Sequence, residues 1–403
     1  MSAVLVSHPH AAAFAVGVAN GLARAERLSL FATGIAFKKG SWSAPANEEL
    51  AKRWPVLRNR ILTALPADRV RALPLVEIGA RLAARAIAAA GGKLTTYDAL
   101  FVAHDAAVAL LSWPRETSAV YAYEDAALRT FTKARRRDLG RIWDLPLPHY
   151  RTIESLWRAE AERWPQALDR LPAGEPGWKQ RRKDQELGLA TRIVVASAFT
   201  RQSLEALDVP VPIAVIPYGF PVDLFAARRA RPTGRFTVLS VGTHDLRKGT
   251  PYLLEAWRRA AIPDGDLHLV GPLKLAKSFL DRYAGLFRHS AHVPKSELAA
   301  HYSAADLLAF PTLGDGFGLV IQEAMCCGTP VVTTPCGGGP ECISDGVDGW
   351  LVPPRDIDAL VERFRSVEAD RERAFAVGVA ARVRAERWTW RDAGDALVRG
   401  LDA

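Results

Sequence analysis

The sequence predicts an α/β protein built from two parallel-sheet domains in tandem. Three observations carry that prediction. Short β-branched and apolar runs alternate with Ala/Leu/Arg-rich stretches of helical period, the pattern of strands covered by helices on both faces. The same pattern restarts near residue 235, so a second sheet follows the first. At 403 residues the chain suits two domains of roughly 200 residues, each able to bury a full core.

In the first half, "AVLVSH" (3–8), "LSLFATG" (28–34), "ALFVAH" (99–104), "SAVYAYE" (118–124) and "RIVVAS" (192–197) read as strands, with helical stretches such as 80–92 between them. Residues 129–185 read as a basic, Trp-rich helical insertion that no strand interrupts. The N-terminal domain is accordingly expected over 1–207. The proline-rich stretch 208–225 loses helical period and marks the boundary. In the second half, 235–242, 266–271, 306–311, 329–335 and 349–354 are apolar enough to be strands buried on both faces. They belong to a C-terminal domain over 208–385, followed by a terminal segment, 386–403.

Composition removes several classes of function. Hydrophobic residues make up 49% and charged residues 24%, which is globular rather than disordered. Cys326, Cys327, Cys336 and Cys342 show neither CxxC spacing nor a histidine cluster, so no zinc site is expected. The start has no basic segment followed by a continuous apolar one, and no apolar run reaches membrane-spanning length. A cytoplasmic protein with reduced thiols is expected. The net charge of +9 suits anionic partners or a solvated arginine-rich surface, and charge does not choose between them.

The stretch "FPTLGDGFGLVIQEAMCCGTPVVTTP" (310–335) carries the chemistry. A strand ends at Phe310-Pro311, and Gly316-Phe317-Gly318 turns the chain into a helix opening at Leu319. Glycines there let backbone N–H groups approach a ligand, and a helix N-terminus favours an anion. Glu323 lies about one and a half turns on, roughly 8 Å along the axis, an offset like that from a diphosphate to the ribose hydroxyls of a nucleotide. One carboxylate can accept both hydroxyls of a ribose diol, and Asp315 in the loop can hold hydroxyls of a sugar beyond the phosphate. The alternative is that Asp315 is a helix-start acid and Glu323 a solvated one.

This stretch resembles the E-x7-E segment of family 4 glycosyltransferases, retaining enzymes of the GT-B fold, with Asp315 in place of the usual first glutamate. "VGTHDLRKGTPYLLEAW" (241–257), "VIPYGFPVDLF" (215–225), "VPKSELAAHYSAADLLAFPT" (293–312) and "GGGPECISDGVDGWLVPPRD" (337–356) resemble further family segments in the family's order. The resemblance covers most of 190–357. It implies two Rossmann-like domains facing a central cleft, a nucleotide-diphosphate sugar as donor, and no metal or other cofactor. It implies that Lys248 neutralises the donor diphosphate, that the backbone from Gly316 to Leu319 contacts the donor, that Asp315 holds the donor sugar, and that Glu323 contacts ribose. The family arginine is replaced by Thr243, with Arg247 as a substitute or a surface residue.

The N-terminal half matches less closely. Ala12 and Ala13 stand where the family has a glycine pair, and His8 and His10 flank that loop as acceptor-side or incidental groups. Aligning strands puts Glu124, with Asp125 beside it, near the family's cleft-facing histidine, where it would orient or deprotonate the acceptor hydroxyl or else cap a helix. His104, at the expected end of "ALFVAH", resembles another cleft-facing position. Trp388 and Trp390 resemble the tryptophan before a terminal helix that crosses back to the N-terminal domain.

The expected function is transfer of a sugar to a hydroxyl of a carbohydrate or lipid-linked acceptor, in cell-surface polysaccharide, lipopolysaccharide or glycolipid synthesis. A sugar-nucleotide epimerase and a sugar-nucleotide-binding protein without catalysis are the rivals. The basic stretch, with Lys133, Arg135, Arg136, Arg137, Lys179, Arg181, Arg182 and Lys183 among Trp157, Trp164 and Trp178, suits either peripheral contact with the inner face of an anionic membrane or a solvated helical face. No nucleic-acid-binding pattern accompanies it.

Overall fold

A computed structural model describes residues 3–38, 60–62, 64–222, 225 and 234–402. Two all-parallel sheets organise it. The first takes strands β1 (Ala3–His8), β2 (Leu28–Thr33), β5 (Val70–Ala72), β6 (Thr117–Tyr123), β7 (Gly140–Leu145), β8 (Arg192–Val195) and β9 (Ile213–Val215) in the order β5-β2-β1-β6-β7-β8-β9. Two short strands, β3 (Phe37–Lys38) and β4 (Ile61–Leu62), form a separate pair. The second sheet takes β10 (Thr237–Val241), β11 (Asp266–Val270), β12 (Arg288–Ser290), β13 (Leu307–Phe310), β14 (Val331–Thr333) and β15 (Trp350–Leu351) in the order β12-β11-β10-β13-β14-β15. The central strands β1, β6, β10 and β13 are apolar and almost wholly buried, as parallel strands covered on both faces must be.

Three expectations are corrected. "ALFVAH" is not a strand: it lies inside the helix Thr96–Leu110, whose start is capped by Thr95 accepting from Asp98 N at 3.0 Å. An apolar run of six fits either element, and the helical continuation "DAAVAL" decides it. The stretch 129–185 is interrupted by β7, which pairs with both β6 and β8 in the middle of the sheet. Its apolar core is only Ile142-Trp143, too short to stand out between charged neighbours. The first sheet also continues past the expected boundary at 208, because Ile213–Val215 pairs with β8.

The two halves are tied together at several points. The helix Tyr150–Arg163 belongs in sequence to the first half, yet Leu156, Trp157 and Trp164 pack against the core of the second. Buried Glu160 accepts from Tyr252 Oη at 2.7 Å and from Arg355 Nε at 2.6 Å, fixing that helix to the C-terminal sheet. At the chain's end the helix Trp390–Asp402 packs on the helix Ala13–Arg24, with Arg24 paired to Asp395 at 2.6 Å. A Cβ on Gly17 would lie 2.9 Å from the Trp390 ring, so a small residue is needed there. Among the described residues no helix is long and apolar enough to cross a membrane.

Candidate active site

The carboxyl ends of β10 and β13 supply one wall of the site, as expected where ligands bind parallel sheets. After β10 the chain turns tightly before the helix Thr250–Ala260. Asp245 Oδ1 accepts from Lys248 N at 2.8 Å, and Gly249 adopts φ 68°, with Pro311 O only 2.0 Å from where a Cβ would sit. This turn delivers the Lys248 ammonium to the Asp315 carboxylate, Nζ against Oδ2, with the Phe310 ring 4.8 Å beneath it. Burial pushes the Lys248 pKa down, and the carboxylate opposes that shift. Thr243 is half-buried in the preceding loop. Arg247 donates to Gly314 O at 2.6 Å, so it holds the acidic loop in place.

That loop is also gripped by the other half of the molecule. Asp315 Oδ1 accepts from Gly316 N at 2.8 Å, while Gly316 O accepts from Ser197 Oγ at 2.6 Å and from Thr200 Oγ1 at 3.3 Å. A Cβ on Gly316 would stand 1.7 Å from Pro146 O, so the two halves meet here backbone to backbone. Phe317 is buried and packs on Tyr218. Gly318, at φ 86°, turns the chain into the helix Leu319–Cys326, which has no side-chain cap at its start. Its first-turn N–H groups therefore suit an anion.

Glu323, on the same helix, is 7% exposed. Its Oε2 accepts from Tyr302 Oη at 2.9 Å, and Lys295 Nζ lies 3.5 Å from Oε1. Burial raises its pKa, while Lys295 and Tyr302 counter the rise. Each oxygen keeps accepting capacity beyond these partners. Lys248, Asp315, the Gly316–Leu319 backbone and Glu323 thus run along one edge of the C-terminal sheet, in an order that fits sugar, phosphate and ribose.

Across from this edge the N-terminal residues divide. His8 is buried among the Phe14, Phe101 and Tyr123 rings, accepts from His10 N at 3.0 Å, and has its pKa lowered to about 3 by burial. It is a core aromatic and does not face an open site. His104, placed by the sequence at a strand end, sits on a helix instead, fully buried with Nε2 3.2 Å from Ser7 Oγ. His10 is half-buried, its charged surroundings being Glu77, Arg60 and Arg81.

Glu124 and Asp125 follow β6 and are both buried. Asp125 adopts φ 70°, and its N–H donates to Glu186 Oε2 at 2.8 Å. Lys183 Nζ lies 3.3 Å from Glu124 Oε1 and 2.8 Å from Glu175, while Lys179 lies 2.9 Å from Asp98 and 3.2 Å from Asp125. Burial pushes the Glu124 pKa up to about 7 against the pull of Lys183. Behind them Arg182 bridges Asp105 and Glu186.

Three of the basic residues read as a surface patch therefore point inward: Lys179, Arg182 and Lys183 neutralise buried acids. Lys133 is likewise occupied, donating to Ala109 O at 2.9 Å and to Leu111 O at 2.6 Å. Of the partners that hold site residues in place, Tyr302 and Lys295 lie in the 293–312 segment, which does not mark them as site residues, and Ser197, Thr200 and Glu175 carry no motif of their own. Only the tertiary contacts single them out.

The chain is similar to known proteins over much of its length. Residues 235–370 fit the family model described as glycosyl transferases group 1. The chain is 33% identical over 235 residues to a GDP-mannose-dependent alpha-(1-6)-phosphatidylinositol monomannoside mannosyltransferase of Mycolicibacterium smegmatis, covering 52% of this chain and 61% of that protein. It is 31% identical over 278 residues to a D-inositol 3-phosphate glycosyltransferase of an Arthrobacter species, covering 63% and 64%. The alignments thus span just over three fifths of these relatives. Among solved structures, sucrose-phosphate synthase from Thermosynechococcus elongatus superposes with a TM-score of 0.67 at 19% identity, covering 100% of this chain and 99% of that one. Anabaena HepE in complex with UDP-glucose superposes with a TM-score of 0.61 at 16% identity, covering 100% and 99%.

Proposed function

We propose, from the match of residues 235–370 to the group 1 glycosyl transferases and from the GT-B fold of the chain, that the protein is a retaining glycosyltransferase. It moves a sugar from a nucleotide-diphosphate sugar to a hydroxyl of a carbohydrate or lipid-linked acceptor, in cell-surface polysaccharide or glycolipid synthesis. The observation that carries this reading is the edge formed by Lys248, Asp315, the uncapped helix at Gly318 and buried Glu323. The relatives named as mannosyl- and inositol 3-phosphate glycosyltransferases support the same class.

In this mechanism the acceptor hydroxyl attacks the anomeric carbon on the face from which the diphosphate departs, and the leaving phosphate oxygen takes the acceptor proton. The protein's contribution is electrostatic. Lys248 and the amides from Gly316 to Leu319 stabilise the charge that grows on the diphosphate, in a site screened from water. Glu323 holds the ribose, and Asp315 orients Lys248 and offers its carboxylate to the donor sugar. Glu124, with its raised pKa, orients the acceptor hydroxyl.

The test is a thermal-shift screen against UDP, GDP, ADP and their sugar conjugates, repeated with Glu323→Ala. A ligand present at 100 times its Kd stabilises by about 2.7 kcal/mol. Stabilisation by one nucleotide, lost in the variant, is the expected result. No stabilisation of intact protein by any of them would remove the donor site and leave a binding protein of another kind.

A further inference from the structure

Beside the acidic loop lies a cavity of about 360 Å³, within the range of small-molecule sites, that the donor does not account for. Its walls come from the β6 end, the β7–helix turn, the helix Tyr150–Arg163 and the loop 171–175. It adjoins the proposed reaction centre. Leu147 and Ile153 line it, and a Cβ on Gly316 would lie 3.1 Å from Leu147 Cα and one on Gly314 3.5 Å from Ile153 Cδ1, so both residues stand beside the loop on either side of Asp315.

The lining has the chemistry of a polyol site. Trp157 and Tyr150 supply aromatic surface to its lining, against which a sugar's C–H groups can rest. Glu124, Glu154 and Glu175 supply carboxylates, which accept hydrogen bonds from hydroxyls. Glu124 is 6% exposed, and its Oε1 has only the Lys183 ammonium at 3.3 Å, which Glu175 shares at 2.8 Å, so it keeps accepting capacity. Oε2 of Glu175 accepts no hydrogen bond. A buried acceptor short of donors is costly, and ligand hydroxyls are the donors that would relieve Glu175 Oε2 and add to the shared ammonium at Glu124.

The charges select within that class. Three carboxylates face two cations, Lys183 and Arg158. Lys183 is shared between Glu124 and Glu175, which leaves Arg158, on the exposed side of its helix, as the remaining cation. A phosphate entering the cavity would meet the Glu124, Glu154 and Glu175 carboxylates, with the nearby cations Lys183 and Lys179 already engaged by Glu124, Glu175, Asp98 and Asp125.

We propose that this cavity is the acceptor site and that it takes an uncharged polyol, a neutral sugar or cyclitol unit, in preference to its phosphate ester. The proposal rests on the glycosyltransferase reading and differs from what the name of the inositol 3-phosphate relatives would suggest for them.

Ligand-observed saturation-transfer NMR tests it on the intact protein. The probes are methyl α-mannoside and myo-inositol against mannose 6-phosphate and inositol 3-phosphate, each at about 10 mM to detect millimolar binding. At least one neutral probe is expected to show transfer, and at least fivefold more than its phosphate ester. Ala173→Trp, on the exposed rim, fills the cavity and is expected to abolish the signal while leaving nucleotide stabilisation intact. Glu175→Gln is expected to narrow the preference for the neutral probe at least twofold. Equal or stronger transfer to the esters, persistence of the signal in Ala173→Trp, an unchanged preference in Glu175→Gln, or no transfer to either neutral probe would each overturn the proposal. Nucleotide stabilisation reports separately on the donor site, so a failure of that reading would be distinguishable.

Discussion

Replacing Lys248 with methionine removes the one ammonium that the turn after β10 delivers to the acidic loop, while keeping most of the stem volume over Phe310. Two costs must be separated. Asp315 loses its cation, but it is 14% exposed and keeps the hydrogen bond from Gly316 N at 2.8 Å. Its loss should therefore resemble an unmade bond to a charged group, about 1–3 kcal/mol of stability. That is below the 3–5 kcal/mol typical of a fully buried broken pair. The catalytic cost is larger. A preorganised donor aimed at charge that develops in the transition state is worth about 3–4 kcal/mol, or a 10²–10³-fold loss of kcat. Steady-state transfer by Lys248→Met should show that loss in kcat, with the melting temperature several degrees lower. The double variant Lys248→Met/Asp315→Asn removes the orphaned carboxylate, so it should regain stability without regaining rate. A kcat within about threefold of the parent, in a folded Lys248→Met protein that turns over donor, would refute the assignment of Lys248 to the leaving diphosphate.

Two further outcomes follow from the packing. His8 is held neutral, its pKa lowered from 6.5 to about 3, whereas the unfolded chain protonates it near its ordinary value. Its contribution to stability is therefore complete above pH 6.5 and is lost progressively as pH falls towards 3, at up to about 1.4 kcal/mol per pH unit. His104, His149, His244 and His268 are lowered by burial in the same way, so His8→Phe should lessen the pH dependence of the urea midpoint between pH 6.5 and 4.5 by about one proton's share without abolishing it, and an unchanged slope would show that His8 contributes none of it. Gly316→Ala places a methyl 1.7 Å from Pro146 O, where neither backbone can easily yield. Overpacking of this kind costs about 1–3 kcal/mol or more, so the melting temperature should drop by several degrees, and a drop below one degree would mean the two halves are not pressed together there.

Much of the C-terminal half was legible in the chain, because its signals are local. Apolar runs bounded by glycine and proline gave β10, β11, β13 and β14. Gly316-Phe317-Gly318 with Glu323 five residues on gave a helix start and a carboxylate at fixed separation, since helix geometry needs no long-range contact. The N-terminal half was harder to read for physical reasons that can be named. "ALFVAH" carries no period that distinguishes strand from helix. β7 is identified only by its neighbours β6 and β8, and the Trp157 and Trp164 rings cannot reveal from sequence that they pack on the other half's core.

The sequence by itself determined that this is a two-sheet α/β chain, and it determined the order of the donor-edge residues along one helix and one turn. Only the tertiary structure decided what the charges do. Lys179, Arg182 and Lys183 read as a basic surface in sequence, yet they are folded against Asp98, Asp105, Glu124, Asp125 and Glu186. A charge's role depends on the distance to its counter-charge and on the water left between them, and these partners, apart from Glu186 on Arg182's own helix, lie some 55 to 80 residues away in the chain and are fixed only when the first sheet has assembled.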